Sequence, residues 1–312
     1  MVILGDNIYV VGGFTSVNGG VPRNNAAAFN RWSGALQPWN PNLNSSAFSI
    51  TTDGVNLYIV GEFTVAGGVS RNRAVKVDPI SGTPLGWNPN LNDDAYSVLY
   101  SNQKIYIGGA FTAVNGGVSR TYAAAFNTTN GSVDSGWNAQ ITGGFAPAVY
   151  SVKARPSGSI LLAGIFNSVN SAVRYNIAEV DKTTGLPMSY APKVDGLVYA
   201  TLEYGPYLYV LGTFNTVGGG FFTRNNLAAF SSLTGAVYNW NPNPNYWSCC
   251  IPEFGGLAGG ASRVYVGGGF NFMGGQPRNH FAALMPAVTV VATPNVSPTP
   301  TYTRTNTPTP TP

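Results

Sequence analysis

Short apolar runs of strand length recur along the chain, separated by glycine, asparagine and proline. The stretch "IYIGGAFTAVNGGVSR" at 105–120 has five relatives: "IYVVGGFTSVNGGVPR", "LYIVGEFTVAGGVSR", "ILLAGIFNSVNSAVR", "LYVLGTFNTVGGGFFTR" and "VYVGGGFNFMGGQPR". Their phenylalanines are Phe14, Phe63, Phe111, Phe166, Phe214 and Phe270, separated by 49, 48, 55, 48 and 56 residues. Downstream of each of the first five phrases stands a second apolar run, "AAAFN", "AVKVD", "AAAFN", "IAEVD" or "LAAFS", then a glycine-containing turn. An aromatic follows (Trp39, Trp87, Trp137, Tyr190, Trp240), and a closing apolar segment such as "AFSIT" or "YSVLY" completes the unit. Four strand-like segments at a period of about 50 residues predict propeller blades. One such sheet cannot bury both faces alone, whereas six in a ring bury them against each other. The expected fold is therefore all-β: a six-bladed β-propeller with four-stranded blades over 1–291, followed by an extended Pro/Thr-rich tail over 292–312.

Within that frame, glycine pairs such as Gly108-Gly109 read as places where inner strands converge on a narrow axis and a missing Cβ permits close approach. The phenylalanine and tryptophan positions read as packing between blades. Residues 2–4 look like an innermost strand, and "AVTVV" at 287–291 would complete the last blade, so that both chain ends close the ring.

Composition sharpens the class. Only 9% of residues are charged, against roughly 25% in ordinary globular domains; 39 glycines and 22 prolines belong to a chain of many turns. The net charge of +4 is not gathered into a basic run, which argues against a nucleic-acid-binding face. The apolar stretches are too short for a transmembrane helix. Met1 leads directly into a strand-like segment, with no basic and apolar leader between them. The chain then reads either as cytosolic or as a mature or truncated piece of a secreted protein.

Candidate chemistry is sparse. Arg23, Arg71, Arg120, Arg174, Arg224 and Arg278 follow the phenylalanines at nearly constant offset. A ring of guanidiniums would suit carboxylates or sulfated glycans. A structural role, bonding loop carbonyls, is preferred because architecture must repeat and a ligand need not touch every blade. His280 is the sole histidine, which excludes multi-histidine metal sites. Asp78 and Asp181 share a repeat position with Asn30, Asn127 and Ser231, the pattern of a turn-starting residue. No catalytic residue, metal site or cofactor is expected. In "NYWSCCIP", adjacent Cys249 and Cys250 suggest a vicinal disulfide locking a turn or two free thiols, and Tyr246 and Trp247 are candidates for sugar stacking. Asn44, Asn127 and Asn130 match the N-glycosylation sequon.

The pattern "YVGG-F-----G---R---AAF----G-----WNPN" resembles the delta-sixty-type repeat, related in style to kelch propellers, over roughly residues 2–285. The resemblance implies an extracellular propeller of a secreted or surface-attached protein, of bacterial origin, with no single activity attached. The fourth copy departs most, with "LLAGIF" for the glycine pair and "YAPK" for the WNPN phrase.

From Thr293 the composition changes to "TPNVSPTPTYTRTNTPTPTP". Thr293, Ser297, Thr299, Thr301, Thr303, Thr305, Thr307, Thr309 and Thr311 are O-glycosylation candidates, since an extended Pro/Thr stalk exposes each hydroxyl. This tail favours an extracellular or cell-surface location. The functional expectation is a non-catalytic structural protein, a surface-layer or fibre subunit. Its partners would be copies of itself or other surface proteins, with glycans attached or bound. The alternatives are a carbohydrate-binding adhesion propeller and, behind it, a secreted glycan hydrolase or lyase.

Overall fold

The computed structural model describes residues 1–245 and 255–287, and they are all-β. Six three-stranded antiparallel sheets share one design, with the strand of the glycine–phenylalanine phrase in the middle. The first contains Val2–Leu4, Asn7–Val11 and Ala26–Asn30, and the second Ala47–Thr52, Leu57–Gly61 and Ala74–Val77. The third holds Ala95–Ser101, Lys104–Gly109 and Ala123–Asn127, and the fourth Ala148–Ala154, Ile160–Ile165 and Ile177–Val180. Leu197–Tyr204, Tyr207–Thr213 and Leu227–Ser231 build the fifth; Gly256–Gly260, Arg263–Gly267 and Phe281–Leu284 build the sixth. Each sheet thus joins the closing apolar segment of one repeat phrase to the two apolar runs of the next. Val2–Leu4 supplies that first strand for the first sheet.

The four-stranded blades expected from sequence are reduced. In the first five units the fourth segment touches its sheet through one isolated bridge: Phe29 with Leu36, Val77 with Pro84, Phe126 with Val133, Val180 with Pro187 and Phe230 with Val237. Pairing stops after one bridge both at Pro84 and Pro187, which have no N–H to extend a ladder, and at Leu36, Val133 and Val237, which have one. A separate small hairpin, such as Ala113–Val114 with Val118–Ser119, follows the phenylalanine in each unit, joined in the fourth by a third short strand, Ile141–Thr142. Of the segment 287–291, only Ala287 is among the described residues; it donates its N–H to the Tyr209 hydroxyl.

The core lies between sheets rather than within them. Tyr9, Ala28 and Trp39 of the first unit interleave with Leu57, Ile59 and Phe63 of the second, and four similar clusters join each later sheet to the one after it. Phe63, Phe111, Phe166 and Phe270 are fully buried, Phe214 nearly so, and Phe14 is half-buried. Each buried ring removes apolar surface worth roughly 1.5–3 kcal/mol.

Four sheets carry an extra residue in the first strand, at which the pairing register slips: Phe48, Tyr96, Tyr150 and Tyr199. These are β-bulges, which bend the strand and re-aim a side chain. A glycine faces each one. A Cβ on Gly61 would lie 2.2 Å from the Ser46 carbonyl oxygen, and one on Gly109 2.2 Å from that of Asp94. The distances at Gly164 and Gly212 are 2.0 Å, to Ala148 and Leu197 oxygens. The close approach is to the neighbouring strand of the same sheet, not across an axis as the sequence suggested. Gly108 instead faces the Val149 and Val152 side chains of the next sheet.

Gly109→Ala should therefore lower stability by about 1–3 kcal/mol. Gly86→Ala, where a Cβ meets nothing within 4 Å, should stay within about 0.5 kcal/mol of the parent. Denaturant midpoints of the two variants check this, and equal midpoints would contradict it.

Candidate functional site

The aromatic side chains of one unit reach into the next. Trp39 Nε1 donates to the Asp78 carbonyl at 3.0 Å, and the Tyr9 hydroxyl donates to the adjoining Pro79 carbonyl at 2.8 Å. The third unit repeats this with Trp137 to Asp181 and Tyr106 to Lys182, whereas in the second Trp87 donates to Asn127, the Tyr58 hydroxyl donates to Asp53 at 2.9 Å, and Lys76 Nζ serves the Thr128 carbonyl at 3.1 Å. The two rings of each pair meet edge-on, with centroids 5.0 to 5.5 Å apart. Burial, with the Asp134 and Asp181 charges nearby, pushes the Tyr106 phenol up to about 12, so it remains a donor at neutral pH.

The fourth unit lacks both residues, having Leu161 for the tyrosine and Tyr190 for the tryptophan. Tyr190 donates to the Ser231 carbonyl at 3.0 Å, replacing the indole bond. The other bond comes from elsewhere: Arg155 Nη2 donates to the adjoining Ser232 carbonyl. Its guanidinium also pairs with Glu179 at 3.1 Å and Glu203 at 2.8 Å, and lies 4.0 Å from the Tyr190 ring centre. Arg155 is 9% exposed, so this is a buried ion cluster spanning the fourth and fifth sheets.

The six repeat arginines bond backbone. Arg71 Nη1 donates to the Ser70 carbonyl and Nη2 to that of Leu85; Arg120 does the same with Ser119 and Asp134. Arg23, Arg174 and Arg224 follow the same scheme, and Arg278 donates to Pro277. His280 occupies the repeat position of Asn25, Arg73, Tyr122, Asn176 and Asn226, all with φ of 62 to 65°. It is a left-handed turn residue, with Nδ1 3.2 Å from the Gly268 carbonyl.

Asp78 and Asp181 accept backbone N–H bonds from the residues two and three on, as Asn30 and Ser231 do. The Asn44 carboxamide clamps Thr64 and Val65, whereas Asn127 and Asn130 each cap an exposed turn. Tyr246, Trp247, Cys249, Cys250 and the stalk from Thr293 to Thr311 lie outside the described residues. Among the described residues no three His, Cys, Asp or Glu side chains gather as metal ligands.

One feature escaped the sequence reading. The bulge residues line a funnel of about 660 Å³ that also draws on Met1, Val11 to Gly13 and Gly255 to Leu257. Phe48 and Tyr96 lie 5.7 Å apart, Tyr96 and Tyr150 stack at 4.6 Å, and Tyr150 meets Tyr199 edge-on at 5.6 Å. Hydroxyls next to the rings stitch sheets together: Ser49 Oγ accepts from Val98 N–H, Ser97 Oγ from Val152 N–H, and Ser151 bonds Thr201. The signal was present in the repeated "AFS", "AYS" and "VYS", but nothing in sequence marks a bulge.

Residues 101–136, the core of the third unit, match the family described as "Domain of unknown function (DUF5122) beta-propeller". The fold is of the β-propeller type. No curated protein matches the chain. Among solved structures, the computationally designed Ika8 protein superposes with a TM-score of 0.52 at 9% identity, covering 87% of this chain and 68% of that one. A chain of the mitotic checkpoint complex gives 0.47 at 14% identity, covering 85% and 73%. The extracellular domain of BT4673 from B. thetaiotaomicron gives 0.48 at 12% identity, covering 82% of this propeller and 31% of that chain. At these identities the likeness concerns fold alone.

Two outcomes follow from this geometry. Arg155→Met leaves Glu179 and Glu203 without counter-charge and should cost about 3–5 kcal/mol; adding Glu179→Gln and Glu203→Gln should recover part of that in the same denaturation assay. Hydrogen bonds from the Ser81 and Thr184 segments hold the Asp78 and Asp181 carboxyls below their ordinary value. A depressed carboxyl contributes stability above the unfolded value of about 4, lost as pH falls through the folded one. An Asp78→Asn/Asp181→Asn protein should thus show a shallower loss of melting temperature between about pH 4 and pH 2 than the parent.

Proposed function

We propose that the chain is a six-bladed propeller of the delta-sixty type that serves as a non-catalytic extracellular structural protein. In this reading it is a subunit of a surface layer or fibre, carried on a Pro/Thr stalk O-glycosylated at residues such as Thr299, Thr301 and Thr303. Support for six blades comes from the funnel, to which all six sheets contribute lining residues.

The observation that carries the functional reading is where the repeated polar groups are spent. The six arginines and the interlocking tyrosines and tryptophans donate to backbone carbonyls. Repetition therefore serves rigidity, which a load-carrying subunit needs and a single catalytic site does not. The low share of charged residues, 9%, suits dense amide-mediated contact with glycans or further copies.

Electron cryo-microscopy and intact mass measurement of the native protein test the proposal. Expected are ordered assemblies in which copies contact one another, and a mass above that of the bare chain with glycan on the stalk threonines. Dispersed monomers of unmodified mass would overturn it.

A further inference from the structure

Six sheets in series have five junctions, and a buried apolar cluster fills each of them. Between the sixth sheet and the first, no apolar cluster, hydrogen bond or ring contact is formed among the described residues. Exposure records the break on both sides. On the face of the sixth sheet turned away from the fifth, Tyr265, Phe281 and Ala283 stand where the first sheet has Tyr9, Ala26 and Ala28. Those two alanines are fully buried, whereas Phe281 is 60% exposed and Ala283 is exposed too. On the first sheet, the face turned away from the second carries Ile8, Val10 and Phe29, all half-buried, and Ile3, 53% exposed. Their counterparts in the second sheet, Leu57, Ile59 and Val77 for the first three, are fully buried. The open faces are thus the two halves of the junction that the chain makes five times, left over at the ends of the series.

We propose that the sixth sheet of one copy packs on the first sheet of the next, with the Tyr265 hydroxyl donating to the Arg31 carbonyl. The polar groups match as the apolar ones do. Tyr265 occupies the position of Tyr9 and Tyr106, and no hydrogen bond among the described residues uses its hydroxyl. The Asn30 and Arg31 carbonyls correspond to those of Asp78 and Pro79, which receive Trp39 and Tyr9. Among the described residues no side chain donates to either carbonyl of the first unit. No tryptophan follows Met285 in the chain, so this junction has the tyrosine donor alone. A weaker lock of that kind suits a contact made between chains, which concentration can drive. An aromatic face left in water marks an interaction surface, and a second copy carries the complementary half by construction. The contact is heterologous, so each copy that docks presents a fresh face. Growth then continues as an open filament unless the rotation between copies closes a ring. The inference rests on the assembly role proposed above and assigns its contact surface, with no use of the stalk.

Sedimentation velocity of the full chain, produced without glycosylation, tests it. The average mass of the parent should rise between about 5 and 100 μM without levelling at a dimer. Phe281→Arg on one face and Val10→Arg on the other should each weaken association at least about tenfold. Ile3→Arg, at a more exposed position of the same face, serves if Val10→Arg lacks the native circular dichroism. An equal mixture of the two variants should form dimers and nothing larger, because each keeps the half that the other has lost. A parent that stays monomeric throughout, its ring closed on itself, would overturn the contact. Assemblies in native material would then have their joints elsewhere, and the structural role would stand. A parent that stops at a dimer, a single variant that associates like the parent, or a mixture that stays monomeric would each overturn the head-to-tail pairing.

Discussion

The structure depends on tryptophans and tyrosines of one sheet that hydrogen-bond the turn backbone of the next, in the first and third units as a pair of donors on two consecutive carbonyls. A single repeat unit cannot bury its hydrophobic face alone, so each sheet must be held to the next. Packing supplies most of the energy, since Trp39, Trp87 and Trp137 are at most 1% exposed. Packing alone is non-directional, however, and would tolerate sliding of one sheet over another. The indole and phenol bonds set register and angle. They fall on carbonyls at the start of the turn after the third strand, where the fourth segment leaves the sheet and backbone acceptors are accessible.

The fourth unit shows that the carbonyls, rather than the aromatic residues, are the fixed requirement. With Leu161 in the tyrosine position, the Ser232 carbonyl would be left without its donor, an expensive state in a buried interface. Arg155 reaches it from a different strand, and Glu179 and Glu203 balance the charge so introduced. The same acceptor is satisfied by different chemistry. A sequence alignment of the repeats sees only that this copy has lost its motif.

What was legible in the sequence follows from what repeats. The six phenylalanine phrases, the turn-starting Asp78 and Asp181, and the propeller class all arise from local chemistry recurring at a fixed period. The bulges at Phe48, Tyr96, Tyr150 and Tyr199 were not legible, because an inserted residue changes register without changing composition. Nor was the partner of each tryptophan, which lies about 40 residues downstream in another sheet. Four-stranded blades were expected from four apolar runs, but the fourth run leaves its sheet after a single bridge, whether the bridging residue is Leu36, Val133 and Val237 or Pro84 and Pro187.

The most direct test of the interlock removes only the hydroxyls. Tyr9→Phe and Tyr106→Phe keep ring packing and volume but leave the Pro79 and Lys182 carbonyls without their side-chain donors. Measured by denaturant unfolding against Tyr175→Phe, which is 44% exposed, each should lose about 1–2 kcal/mol. The control should stay within about 0.5 kcal/mol of the parent. Two variants as stable as the parent would show that apolar packing alone holds the sheets in register, contradicting the account.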